Sequence, residues 1–201
     1  MADILVLFHS VSGGAFRLAR AVAEGIEAVD GCRAELRRVP DIDDGDSIFG
    51  GQVQERPPGL LDLPTASPGD LENFDGFAVG CPIYFGRLSS AMAYFWDHTG
   101  KQWGDITGKT ATAFVAGGSG AGSETAILSL WSTFAAHGLT IVPLGIRALS
   151  ASGAGDVTGA GSFGAASIGN GPGERPSAPE LAAARIQGTA LAEVTRALVA
   201  G

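Results

Sequence analysis

The sequence predicts a doubly wound α/β fold: a five-stranded parallel sheet of order 2-1-3-4-5, carrying long loop insertions. Three observations support this. Short continuous apolar runs, typical of strands buried on both faces, occur at 3–9, 74–81 and 109–116. Segments with apolar residues at helical spacing lie between them. Glycine-rich turns stand where strand passes to helix, at Gly13-Gly14 and from Gly117 to Gly122. Strands alternating with helices imply a parallel sheet covered on both faces, and right-handed crossovers leave few topologies. Order 2-1-3-4-5 is the economical one. The length of 201 residues suits one domain over 1–201.

The elements follow in order. The run at 3–9 ends in His9-Ser10, and Ser10 to Gly14 is turn chemistry. Ala15, Leu18, Ala19, Val22 and Ile26 then recur as one helical face, and Gly31 closes that region. Residues 33–39 alternate like an edge strand. The acidic, proline-rich stretch 40–70 reads as a long surface loop with room for a short helical piece. Phe74 to Cys81 is a second buried strand, ended by Pro82. A helix from about Leu88 turns Met92, Phe95 and Trp96 to one side. Lys109 to Ala116 is the third core strand, and the helix after it faces Ile127, Leu130, Trp131 and Phe134 inward. Gly138 ends that helix, in a position favouring a left-handed residue. Leu139 to Ile146 is a further strand. The glycine-rich stretch 150–174 contains Phe163 and Ile168, so an ordered loop lining something is expected. Ser177 and Glu180 have capping-box spacing and start a last helix with a stripe of Leu181, Ala184, Leu191, Val194 and Leu198.

Composition narrows the function classes. The formal charge of −8 argues against nucleic acid, whose phosphates need Lys and Arg to displace counterions. Cys32 and Cys81 make no disulfide framework and read as reduced thiols. Asp3 stands where a signal peptide needs a base, and no apolar run approaches the roughly 18 residues of a membrane span. A cytoplasmic setting without a membrane span is expected. No His or Cys cluster has metal spacing, and no nucleophile elbow with a triad is visible. The aspartates at 41, 43, 44 and 46 read as a solvated acidic loop, and His9 and His98 as structural.

In such sheets ligands bind beyond the carboxyl ends of the strands. The order predicted makes the loops after the first, third and fourth strands neighbours. The first, Ser10-Val11-Ser12-Gly13-Gly14-Ala15, offers hydroxyls, backbone N–H groups and the positive end of the following helix dipole to an anion. It has neither the lysine of a P-loop nor the Gly-x-Gly-x-x-Gly of a dinucleotide turn. A lysine-free site suits a monophosphate held by neutral donors, and flavin mononucleotide (FMN) is such a ligand. An ordinary strand-to-helix turn is the other reading. The second loop puts Ile83, Tyr84 and Phe85 beside the site, as ring-flanking aromatics or as packing. The third, Ala116-Gly117-Gly118-Ser119-Gly120-Ala121, presents nearly bare backbone for close approach. Trp103 is either an exposed lid or a buried anchor, and His137 either structural or a ligand contact.

These residues resemble the WrbA-type NAD(P)H:quinone oxidoreductases, flavodoxin-like proteins that bind FMN and form tetramers. The resemblance runs through Ala19 to Gly25, Arg38-Val39-Pro40, Phe85-Gly86, Asp97 to Gly100 with Trp103, and His137-Gly138. It continues in Ile141 to Gly145, Phe163-Gly164-Ala165, Pro176-Ser177, Glu180-Leu181 and Ala184 to Gly188. It implies an FMN phosphate loop on Ser10 to Ala15, a ring-flanking segment on Ile83, Tyr84 and Phe85, a ring and ribityl segment on Ala116 to Ala121, and a substrate-side tryptophan on Trp103; His137 stands as a candidate substrate contact by its place at the helix end. It also implies a homotetramer. The departures fall at the site: Ser12 and Gly13-Gly14 replace Tyr and Gly-His, Ile83-Tyr84 replaces Thr-Arg, Ala116 to Gly120 replaces Ser-Thr-Gly-Thr-Gly, and Ala136 replaces the first His of His-His-Gly.

The reading that follows is an FMN enzyme passing two electrons from NAD(P)H to a quinone. The flavin carries the reaction, so no catalytic side chain is expected. Two alternatives stand beside it: a flavodoxin-like binding or assembly module with a weakened or lost FMN site, and a flavin electron carrier.

Overall fold

A computed structural model describes residues 1–42, 56–153, 156–169, 171 and 174–201. The strands are β1 (Ala2–Phe8), β2 (Cys32–Arg38), β3 (Gly76–Pro82), β4 (Thr110–Gly117), β5 (Thr140–Ile141) and β6 (Ala166–Ile168). The helices are α1 (Gly14–Glu27), α2 (Ser90–Asp97), α3 (Trp103–Ile106), α4 (Ser123–Ala136) and α5 (Ala178–Ala200). The sheet is parallel with order β2-β1-β3-β4-β5, as the alternation of strand and helix predicts.

Alternation along the strands sends side chains to two apolar layers. Leu5, Leu7, Phe77, Val79, Ala113 and Val115 pack with Met92, Phe95, Trp96, Ile127, Leu130 and Phe134 on one face. Ile4, Val6, Phe8, Ala78 and Phe114 meet Leu18, Val22, Ile26, Ala184 and Leu191 on the other. On that second face α1 and α5 touch backbone to backbone. A Cβ on Gly25 would overlap the carbonyl of Arg185, and one on Gly188 would overlap that of Val22.

The fifth strand departs from expectation. Only Thr140 and Ile141 pair with β4, although Leu139 to Ile146 is apolar enough for a full strand. Val142 N–H still reaches the Ala111 carbonyl at 2.8 Å. Pro143 then has no N–H to continue the ladder, and the chain turns into a 3-10 helix over Gly145–Ser150. The chain returns to the same edge as β6, pairing Ala166–Ile168 with Val115–Gly117.

Between those two pieces the middle of β4 is served by a side chain. Gln187 of α5 donates to the Ala113 carbonyl at 2.7 Å and to the Thr112 hydroxyl at 2.5 Å, and accepts from Ala165 N–H at 2.7 Å. Thr112 donates in turn to the Val142 carbonyl at 2.7 Å. A glutamine amide thus supplies the donor and acceptor that a missing strand residue would have offered.

The helical piece expected in 40–70 is a 3-10 turn, Pro68–Asn73, opened by a Ser67–Asp70 capping box. Asp43, Asp44 and Asp46 lie outside the described residues. The Ser177–Glu180 box does start α5. Of its expected stripe, Ala184 and Leu191 are buried and Leu198 is exposed. No helix among the described residues is long and apolar enough to cross a membrane.

Candidate functional site

Three turns leave the carboxyl ends of β1, β3 and β4 side by side and enclose an open pocket of about 680 Å³. That volume suits a small-molecule or cofactor site. Val11, Ser12 and Gly14 line it from the first turn, Ile83, Tyr84 and Phe85 from the second, and Ala116, Gly117, Gly118 and Ser119 from the third. Pro82, Ser167, Gly169 and Arg175 complete it. Ala121 borders an adjoining recess of about 340 Å³, with Phe85, Gly86 and Gly122.

The first turn opens α1 through Gly13 in the left-handed region, φ 92°. Ser10 is buried, and its hydroxyl accepts from Phe16 N–H at 3.3 Å, so it organises the turn from beneath. Ala15 is buried, and Gly13 lies under Pro57, where a Cβ would come within 2.6 Å of the proline ring. No acidic side chain stands in the first turn of α1 to compete for an anion.

The second turn is strained in a useful way. Tyr84 and Arg87 exchange backbone hydrogen bonds of 3.1 and 3.2 Å around Phe85 and Gly86. Both central residues have positive φ, 53° and 75°, the pattern of a type I′ turn. Glycine or asparagine is the ordinary choice there, and a phenylalanine costs about 1–2 kcal/mol. The ring gained is 92% exposed, at the border of pocket and recess. The third turn needs its glycines for packing as well as for bare backbone. A Cβ on Gly117 would come within 2.7 Å of Ile83, on Gly120 within 2.9 Å of Ile168, and on Gly122 within 2.7 Å of Gly86.

Behind Tyr84 runs a hydrogen-bonded chain. Ser89 Oγ accepts from Met92 N–H as the N-cap of α2 and lies 2.9 Å from His9 Nδ1. His9 Nε2 lies 2.9 Å from Asp41, which also accepts from Arg56 at 2.6 Å. The His9 contact, with Arg56 adding to it, holds the Asp41 carboxyl down at about 2. Burial pushes the Tyr84 phenol up, reinforced by the negative charge of Asp41. Serine, histidine and aspartate in a row resemble a nucleophilic triad, yet Ser89 is fully buried and no substrate reaches it. Asp41 is therefore part of an ion-paired network, not the solvated residue its acidic stretch suggests.

Trp103 and His137 stand elsewhere. Both precede the amino ends of β4 and β5, where Thr107 donates to the carbonyl of each, at 2.7 and 3.1 Å. The eight-residue β4, at roughly 3.3 Å per residue, puts about 25 Å between them and the pocket. His137 is buried: Nδ1–H donates to the Thr133 carbonyl at 2.8 Å, Nε2 lies 2.7 Å from the Thr99 hydroxyl, and Trp96 and Trp103 meet its ring edge-on. Trp103 is 57% exposed. Neither residue walls this pocket within its own chain.

Ser167 and Gly169 fall in the glycine-rich stretch 150–174, where an ordered loop lining something is expected; Arg175 lies just beyond it, and no motif singles out the three residues themselves. The organiser of this wall is Glu180, fully buried, which accepts from Gly159 N–H, Ser167 Oγ, Ile168 N–H, Arg175 Nη1 and Ser177 N–H at 2.7–3.2 Å. The capping-box spacing announced the last of these contacts, while the others join loop residues that no spacing rule connects.

The pocket fits a flavin monophosphate by its own features: a helix start free of acids, small-residue turns that let backbone approach, and an aromatic rim. Solved structures carry the same fold. A WrbA-like flavodoxin from Agrobacterium tumefaciens is 23% identical, with a TM-score of 0.68 over 98% of this chain and 99% of that one. A flavodoxin from the domain Archaea is 17% identical, with a TM-score of 0.61 over 96% and 99%. The rubredoxin oxygen:oxidoreductase of Desulfovibrio gigas matches 99% of this chain with 37% of its own, at 12% identity and a TM-score of 0.61. The family model described as NADPH-dependent FMN reductase matches residues 2–153. The chain is a flavodoxin-like oxidoreductase and belongs to that NADPH-dependent FMN reductase family.

Proposed function

We propose that the protein binds FMN in the three-turn pocket and reduces quinones at the expense of NAD(P)H. The observation that carries this reading is Phe85, exposed and held at positive φ between pocket and recess. Strain of this kind persists where a site uses the displayed side chain.

FMN, when bound, supplies the two-electron chemistry that no side chain provides. The turn Ser10 to Ala15 would hold the phosphate through Ser12, backbone N–H groups and the start of α1. Ile83 and Tyr84 would flank the ring, and the backbone of Ala116 to Ser119, continuing through Gly120 to Ala121, would approach its polar edge. Phe85 would cover a planar substrate in the recess. The overall balance is NAD(P)H plus a proton plus quinone giving NAD(P)⁺ plus hydroquinone.

A homotetramer belongs to the same proposal. Trp103 reaches a substrate only if another copy brings it to the pocket, because its own chain holds it at the other end of the sheet; His137, buried beneath it with both ring nitrogens engaged, would position Trp103 rather than touch a substrate. The test is NADH and NADPH oxidation with 1,4-benzoquinone by fully FMN-loaded protein, with light scattering for assembly state. Turnover that saturates in quinone supports the reading. A loaded protein without turnover rejects it and leaves the flavin electron carrier.

A further inference from the structure

We infer that the Tyr84 hydroxyl is the pocket's hydrogen-bond donor to a conjugated ring carbonyl that gains negative charge on two-electron reduction. The inference rests on the flavin reading above and adds to the flanking ring of Tyr84 a task for its oxygen.

Most polar side chains of the pocket are already committed or lie loose at its surface. Ser167 Oγ donates to Glu180 at 3.0 Å, and Arg175 is paired with the same carboxylate. Ser12 and Ser119 are exposed. Tyr84 is the one aromatic hydroxyl among the described lining residues. Its side chain is half-buried, so packing fixes the ring. Its oxygen keeps contact with solvent and has no hydrogen-bond partner among the described residues. A phenol oxygen left to water on the wall of a pocket is free to exchange that water for a ligand oxygen.

The backbone that carries Tyr84 is anchored on both sides. Tyr84 and Arg87 exchange backbone hydrogen bonds, and Ile83 N–H donates to the Ala116 carbonyl at 2.9 Å, joining the second turn to the third. Ile83 also packs against Gly117, where a Cβ would come within 2.7 Å of it. The hydroxyl is thereby held relative to the bare backbone that would meet a ring's polar edge. Burial, and then the nearby Asp41 carboxylate, pushes the phenol up, so it stays protonated and donates through neutral pH. Asp41 is ionised there because His9 and Arg56 hold its proton off.

Two-electron reduction places negative charge on the oxygen of a conjugated carbonyl, and an O–H donor binds a charged oxygen more strongly than a neutral one. A fixed phenol therefore favours the reduced form of whatever ring it meets. Two guests carry such an oxygen, the flavin ring and the quinone.

The experiment compares FMN-loaded wild type and Y84F by the midpoint potential of the bound flavin, from dye-coupled reduction, and by kcat/KM for 1,4-benzoquinone. Circular dichroism verifies the fold. Y84F keeps the ring and removes only the oxygen. With the flavin as partner, its reduced form loses about tenfold in affinity relative to its oxidised form, a fall of about 30 mV. With the quinone as partner, the potential holds and kcat/KM falls about tenfold. Either result supports the inference. Biosynthetic 3-fluorotyrosine makes the phenol a stronger donor, and in a Y94F background it reaches Tyr84 alone, because the chain has two tyrosines. It is expected to move the affected readout the opposite way by about twofold, which carries the test if Y84F does not fold or load. Potential and kcat/KM unchanged in both proteins overturn the inference, and Tyr84 is then a wall of the pocket alone. A wild type that takes up no FMN overturns the flavin reading itself, and this inference with it.

Discussion

Phe85 carries the sharpest conflict in the molecule between local preference and placement. Its φ of 53° suits asparagine or glycine, and its ring is almost wholly in solvent, so folding gains little from it. Phe85→Asn should therefore stabilise the apo-protein by about 1 kcal/mol in urea unfolding. The same change should lower quinone kcat/KM about two- to tenfold, since an aromatic stack contributes about 0.5–1.5 kcal/mol. Asp41 gives a prediction in pH. Its carboxyl titrates near 2 when folded and near 3.8 otherwise, so the unfolded chain binds the proton first. The His9–Asp41–Arg56 network therefore stabilises fully above pH 4, and that contribution disappears as pH falls towards 2. Urea unfolding at pH 5 and pH 3 should show a larger acid loss for wild type than for Asp41→Asn. Cys81, fully buried, has its thiol pushed up to about 12 by burial and should resist thiol reagents at pH 8 until the protein unfolds.

At the scale of elements, Gln187 and the glycines of the α1–α5 contact matter most. Gln187→Ala leaves the Ala113 carbonyl and Ala165 N–H buried without partners and should cost about 2–3 kcal/mol. Gly188→Ala forces α5 away from the backbone of Val22 and should cost about 2 kcal/mol or more, read as a lower melting temperature. The sequence disclosed these elements unevenly. β1, β3 and β4 are continuous apolar runs and were legible with their boundaries almost right. Reading the apolar run 139–146 as one strand overextends it, because Pro143, visible in the sequence, lacks the N–H that the ladder needs and outweighs the apolar character of its neighbours. β6 was missed because three residues within a glycine-rich stretch form no periodic signal. Glu180 was visible as a cap, but its other four donors depend on how a distant loop folds back. Trp103 and His137 could not be assigned an end of the sheet by motif alone; the helices that carry them decide it.

For the whole molecule, parallel pairing collects the turns after β1, β3 and β4 at one rim, and a fourth wall from β6 and Arg175 closes the pocket they form. Family membership makes the chain an FMN-dependent oxidoreductase in kind, and the pocket makes the place of the cofactor a specific expectation. The most direct measurement is the absorbance titration of apo-protein with FMN, repeated on Gly14→Val, whose branched side chain would crowd Ala116 across the pocket. The account predicts saturation at one FMN per chain with a shifted flavin spectrum, and loss of that uptake in a variant that still folds. A wild-type protein that stays colourless at high micromolar FMN, or equal uptake by Gly14→Val, would contradict it.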